Sequence, residues 1–260
     1  MELVTYVDIE TASAARGLRM AVASALPSPW SEAAKGLFHV KQIPALAVRS
    51  LRVTPELKAW TGADSVPVVL FDDAQPLTGW AEIIALAERL GGRVPLVPAD
   101  PETRARMFDL VAELAGEGGL AWSNRLLMID GGLRSEGREG FPLPVAQYLA
   151  PKYGHAPDCA ATARARVAEV LARLGRALAA ARAAGHRYLL GDTLTALDIY
   201  TATFLTPITG VTEAECPAMR AALRPAFTHV EREVGGLLSA ELAAHRRFIH
   251  DEHLGWPIVI

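Results

Sequence analysis

The chain has 260 residues, 51% of them apolar and 21% charged, with a formal net charge of −3. That length allows one or two domains with a sizeable core, and the near-neutral, slightly acidic balance lacks the basic footprint of a nucleic-acid-binding protein. No apolar run approaches a membrane span, and two isolated cysteines, Cys159 and Cys216, argue against a disulfide framework or a cysteine-rich zinc site and for a reduced, cytoplasmic setting.

Residues 1–17 leave two readings open. Leu3 to Ile9 reads as a strand or an extended arm, and an alanine-rich helix from Ala12 to Leu26 competes with a strand over the same stretch. Glu2, Asp8 and Glu10 stand where a signal peptide would carry basic residues, so none is expected. A strand near Leu18 to Ser24 is preferred, because Leu18, Met20 and Val22 alternate with Arg19, Ala21 and Ala23. Ser28 then reads as a helix N-cap whose hydroxyl accepts a first-turn N–H, with Pro29 at the first helical position. Trp30, Ala33, Ala34, Leu37 and Phe38 set one apolar stripe on that helix. A strand thus runs through a loop into a serine at a helix N-terminus, where free N–H groups and the dipole stabilise an anion or thiolate.

Ala45 to Val48 reads as the next strand, opened by Pro44. Thr54-Pro55-Glu56 caps a short helix through Trp60, stopped by Gly62. Val66 to Phe71 is a buried strand with a proline near its start. Asp72 to Gln75 is a turn, Pro76 to Thr78 a short strand, and Trp80 to Leu90 a helix ended by Gly91-Gly92. The order is β-α-β-α-β-β-α.

Glycine and proline density from Gly91 to Pro101 marks a linker. From Glu102 onward the pattern is helical almost throughout. Met107, Leu110, Val111 and Leu114 share one face, and a second apolar stretch runs from Leu120 to Ile129. Residues 130–158 read as an exposed excursion. Ala161 to Ala184 is a long helix with Val167, Val170, Leu171, Leu174 and Leu178 inward. Thr195 and Asp198 form a capping box, stapled by Leu194 and Ile199. Trp256 to Ile260 is an apolar tail suited to packing back over the protein. His245, His250 and His253 sit at spacings that do not share one helical face, so they read as surface histidines and no metal site is expected.

The first half resembles the thioredoxin-like domain of the cytosolic glutathione S-transferase superfamily, with a bacterial-type Ser-Pro-x-x motif. The matching pieces are Ser28-Pro29-Trp30-Ser31, Gln42-Ile43-Pro44, Val66-Pro67, Asp72-Asp73 and Leu77-Thr78. The Thr195–Asp198 box resembles the one that opens a buried helix in the family's all-α domain. The resemblance implies a thioredoxin-like α/β domain at 1–92, with 1–17 as an extension, a linker at 93–101, and an all-helical domain at 102–260. It also implies glutathione as co-substrate with no metal, a small hydrophobic electrophile as partner, and a homodimer.

Within the resemblance, Ser28 donates to the glutathione sulfur. Val66 pairs with the peptide backbone beside a cis Pro67, in the manner of an added strand. Ser31 is a second donor one turn in, and Tyr6 a weaker one. With serine at position 28 and no cysteine in the first half, a thiol–disulfide mechanism is not expected. Gly79-Trp80 departs from the acid-serine pair that binds the γ-glutamyl group in the family, and Trp80 reads first as packing between the domains. Lys35, Lys41, Arg49 and Arg52 read as a solvated face. Trp122, Asn124 and Arg125 are a candidate wall of the electrophile cleft. The Ser-Pro-Trp segment also looks like that of bacterial members that cleave β-aryl ethers. The expected function is glutathione conjugation or displacement, with a non-catalytic ligand-binding or regulatory protein as the alternative.

Overall fold

The computed structural model describes residues 3–92 and 94–260. Met1 and Glu2, which open the expected extension, and Arg93, which opens the expected linker, lie outside the described residues. The extension resolves into a strand and a helix, β1 (Val4–Tyr6) and α1 (Ile9–Ala14), with Asp8 capping α1 by accepting from the Thr11 N–H. The alternating segment comes next as β2 (Leu18–Ala23), so no helix spans Ala12 to Leu26. Then come α2 (Pro29–Val40), β3 (Ala45–Ser50), α3 (Pro55–Thr61), β4 (Val68–Phe71) and α4 (Trp80–Arg89).

The sheet order is β1-β3-β2-β4. β1 and β2 run parallel to β3, and β4 is antiparallel to β2. Leu77 adds one antiparallel bridge to Val69, so the expected fourth strand of the motif is a single pairing. The extension therefore widens the sheet at its parallel edge. Side-chain alternation assigns the faces. Met20 and Val22 join the large core with Leu37, Phe38, Ile83 and Ile84 under α2 and α4. Ala21 points the other way, into a second core with Ala12, Val48, Leu57, Val68 and Leu70 under α1 and α3.

The second half is helical: α5 (Pro101–Ala115), α6 (Leu120–Arg134), α7 (Leu143–Tyr153), α8 (Cys159–Ala183), α9 (Ala196–Phe204), α10 (Arg224–Val234) and α11 (Ala240–Ile249), then a π-helical turn at His250–Leu254. Residues 130–158 are exposed over much of their length, as expected, but they are largely helical. α6 continues through buried Asp130, Gly131 and Gly132, and α7 starts within two prolines, where helices tolerate them. Gly132 reads as a breaker but serves close packing: a Cβ there would collide with Phe141 O and meet Ala146 Cβ at 2.9 Å. All five inward positions of α8 are buried. No helix among the described residues is long and apolar enough to cross a membrane.

α2 is buried nearly all round, because α4, α9 and the chain's last turn all pack on it. Lys35 and Lys41 are consequently not on a solvated face, whereas Arg49 and Arg52 are exposed. Lys35 pairs with Glu32 at 2.8 Å, and Lys41 pairs with Glu88 at 2.8 Å. The C-terminal tail does fold back. Ile258 and Ile260 are buried, and the Val259 carbonyl accepts from Tyr6 Oη at 3.0 Å and Lys35 Nζ at 2.5 Å.

Candidate active site at the ends of the strands

Register brings the candidate residues together. Ala21 pairs with Val68, so the end of β2 that leads to Ser28 lies beside the start of β4, where Val66-Pro67 sits. Leu77 pairs with Val69 running the other way, which returns Gly79 to that same edge. Two helix N-termini, α2 and α4, and the chain before β4 thus converge on one end of the sheet.

Ser28 is the N-cap of α2 by position, but its hydroxyl makes no capping hydrogen bond. Only its carbonyl takes part, accepting from Glu32 N–H at 2.9 Å. The expected side-chain cap is absent, although Asp100 and Thr54, which also precede a proline at a helix start, do cap with their side chains. Among the described residues, the hydroxyl of this buried serine has no hydrogen-bond partner and is left uncommitted at the helix start. Ser31 is fully buried, and its Oγ accepts from the Ala23 N–H at 3.0 Å, tying α2 to the end of β2. The intervening loop carries Ala25 at φ 72°, an uncommon region for a residue with a Cβ. The Ala25 carbonyl accepts from Arg220 N–H at 2.9 Å, which holds that loop from the helical half.

The Val66–Pro67 peptide is cis. Val66 precedes β4, and no hydrogen bond engages its N–H or C=O among the described residues. At α4, Glu82 Oε2 accepts from the Gly79 N–H at 3.2 Å, so an acid stands in the first turn though neither Gly79 nor Trp80 supplies one. The Trp80 ring packs on Phe108 of α5 with centroids 6.2 Å apart, and its carbonyl faces Tyr200 Oη at 3.5 Å. Tyr6, on the outer strand β1, is taken up by Val259 and Lys35.

No family model matches the sequence, and no curated protein matches it. Solved structures do match along almost the whole chain. A glutathione S-transferase domain-containing protein of Marinobacter aquaeolei superposes with a TM-score of 0.62 at 16% identity, covering 91% of this chain and 100% of that one. The fold is that of the cytosolic glutathione S-transferases. A β-etherase of Sphingobium sp. aligns with a TM-score of 0.55 at 16% identity, over 89% of this chain and 99% of its own. A Methylobacterium radiotolerans glutathione S-transferase, solved in complex with glutathione sulfonate, aligns with a TM-score of 0.53 at 16% identity, over 94% and 97%.

In this glutathione S-transferase fold, α9 holds both helix N-termini of the site. Phe204 meets Trp30 edge to face at 5.4 Å, and Tyr200 stacks on Phe204 while reaching Trp80. Trp30 Nε1 also donates to Ala115 O at 2.9 Å. Its spacing placed Trp30 on a core stripe but carried no sign that its partners, Phe204 and Ala115, lie in the helical second half of the chain. The start of α9 is fixed by Asp198. Its Oδ2 accepts from Thr195 N and Thr195 Oγ1, each at 2.9 Å, and its Oδ1 accepts from Leu189 N–H at 3.0 Å.

Of the proposed wall residues, Trp122 Nε1 donates to Tyr153 O at 3.2 Å. Asn124 is buried, and neither amide atom has a hydrogen-bond partner among the described residues. Arg125 is buried without an acid partner, over the Phe141 ring and beside Met128 Sδ, and burial draws its pKa down. The three C-terminal histidines are not surface residues. His245 is buried on Asp198, His250 is buried in a stack on Trp256, and half-buried His253 faces Tyr188 Oη at 3.0 Å. His245 lies on the buried side of α11, and His250 and His253 follow in the π-helical turn, which the spacing alone did not disclose.

Proposed function

We propose that the protein is a glutathione transferase that conjugates, or displaces a leaving group from, a small hydrophobic electrophile. The observation that carries this reading is the uncommitted Ser28 hydroxyl at the N-terminus of α2, beside the unengaged Val66 backbone. A free thiol has a pKa near ~8.5, so little thiolate exists at neutral pH. A hydroxyl donor together with a helix N-terminus lowers that value and supplies the nucleophile.

In this scheme residues 1–92 bind glutathione. Val66 hydrogen-bonds the peptide backbone next to Pro67, and the start of α4 at Gly79 and Trp80 receives the γ-glutamyl end, with Glu82 placed for its ammonium group. Ser31 supports the loop from beneath. The thiol proton leaves to solvent, the sulfur forms a bond to the electrophilic carbon, and any leaving group departs with its bonding pair. Nothing in this chemistry calls for a metal. Helices of residues 102–260, with Trp122, Asn124 and Arg125, wall the electrophile cleft. The protein works in this reading as a cytoplasmic homodimer.

A second reading, a non-catalytic ligand-binding or regulatory protein, is favoured by one observation. Glu82 already occupies the Gly79 N–H, where an incoming carboxylate would bind. Calorimetric titration of glutathione into the purified protein separates the two. Micromolar to low-millimolar binding supports the transferase, and heat-silent mixing at several millimolar supports the second reading.

A further inference from the structure

Three potential metal ligands, two of them four residues apart and the third 25 residues upstream, meet between α6 and the start of α8. They are Asp130 of α6, His155 in the turn after α7, and Cys159 at the first position of α8. One donor atom from each lies within 4.8 Å of the others, and His155 Nε2 is 3.1 Å from Asp130 Oδ1. In a tetrahedral zinc site with bonds of about 2.0–2.3 Å, neighbouring ligand atoms stand roughly 3.3–3.7 Å apart. The Asp130–His155 pair is already close to that separation, and the Cys159 sulfur lies within 4.8 Å of both.

We infer that Asp130, His155 and Cys159 form a zinc site with three protein ligands and one position left for an exchangeable ligand. The donor set decides the metal. A thiolate and an imidazole beside one carboxylate suit zinc, whereas magnesium and calcium take oxygen ligands. The surroundings fit a built centre. Arg134 Nε holds the Asp130 carboxylate at 3.0 Å, and its guanidinium also donates to Pro157 O at 2.7 Å, which fixes the His155–Cys159 turn against α6. Such outer partners orient metal ligands. The Asp130 carboxylate and the Cys159 thiolate would together cancel the two positive charges of the metal.

The fourth position has room. Of the three ligands Asp130 lines a cavity of about 440 Å³, shared with Asp158, Ala160, Arg164, His229 and Glu233, which leaves space beside its carboxylate. None of the three ligands belongs to the helix starts proposed to bind glutathione, so this site stands or falls independently of that reading. A bound ion would tie α6 to both α7 and α8.

The test uses the full-length protein, stripped with chelator and titrated with Co²⁺ as a spectroscopic substitute. One equivalent should give tetrahedral visible bands and a thiolate-to-cobalt charge-transfer band, both removed by stoichiometric Zn²⁺. Cys159→Ser should abolish the charge-transfer band, and His155→Gln should weaken binding tenfold or more. His229→Gln, in the cavity but outside the trio, should leave the titration unchanged. A flat spectrum, or a band that survives Cys159→Ser, would overturn the assignment. Circular dichroism confirms that each variant is folded, and two ligand variants keep the test decisive if one is not.

Discussion

Asp198 and His245 meet 3.0 Å apart, Oδ1 to Nε2, with both side chains fully buried. Arg182 faces the other ring nitrogen, Nδ1, at 3.4 Å. A guanidinium can only donate, so Nδ1 accepts and the proton sits on Nε2, directed at Asp198. Asp198 thereby accepts from four donors: Leu189 N, Thr195 N, Thr195 Oγ1 and His245 Nε2. It joins the start of α9 to the loop before it and to α11.

That hub predicts a graded pair of variants. Asp198→Ala leaves all four donors without their acceptor and should cost on the order of 3–5 kcal/mol. His245→Phe keeps an aromatic ring and removes one charge-assisted bond, a loss of roughly 1.5–3 kcal/mol. Urea unfolding reads both as shifts in midpoint. Equal losses in the two variants would mean that the box donors contribute little beyond the histidine.

The buried Glu32–Lys35 pair makes a second prediction. Burial raises the Glu32 pKa, and the Lys35 ammonium beside it opposes that rise. Lys35→Met strands a buried carboxylate and also removes a donor to the tail at Val259, so it should destabilise by about 3–5 kcal/mol. Adding Glu32→Gln should recover most of the loss, since replacing both members of a buried pair is often nearly neutral. A double variant as unstable as the single one would show that the tail contact, and not the ion pair, carries the energy.

These two networks mark how far sequence patterning reaches. The thioredoxin-like order was legible because period-2 strands, capped helices and glycine stops are local signals. Thr195 and Asp198 were legible for the same reason, being three residues apart. His245 was not, since its partner lies 47 positions away. Lys35 and Lys41 read as solvated because charge is a surface signal on average, and only the packing of α4, α9 and the tail around α2 reverses it. Residues 130–158 failed as a helical region because glycines that serve close packing look like breakers in one dimension. At the site, Ser28, Val66 and Gly79 were singled out from short motifs, but the aromatic bridge from Trp30 and Trp80 to α9 crosses the two halves of the chain and leaves no local trace.

His250 predicts the acid limb of stability. Burial, reinforced by the Arg246 guanidinium, pushes its pKa down to about 4 from an ordinary 6.5. The folded state therefore holds the neutral ring, while the unfolded chain takes up a proton below about 6.5. Stability from this group is full above that pH and falls as the pH drops toward 4. The gap between those two values corresponds to a loss on the order of 3 kcal/mol. His250→Phe, which keeps the stack on Trp256, should flatten the slope between pH 6.5 and 4. An unchanged slope would assign the acid sensitivity elsewhere.

Ser28 and Ser31 lie three residues apart yet should fail in opposite ways. Ser31→Ala removes the acceptor of the buried Ala23 N–H, a stability cost of about 1–3 kcal/mol. It should leave the pKa of bound glutathione unchanged. Ser28→Ala removes a hydroxyl that caps nothing, so the unfolding midpoint should barely move. The lost bond to a charged sulfur, worth about 1.5–3 kcal/mol, should raise the bound thiol pKa and lower kcat/KM roughly 10- to 100-fold near neutral pH. The deficit should shrink as the pH rises and thiolate forms without help. The thiolate absorbance of the complex, followed against pH, reads the pKa directly. Should Ser28→Ala lose stability and keep the thiol pKa, the hydroxyl would be a structural group and the nucleophile would be activated by the helix terminus alone.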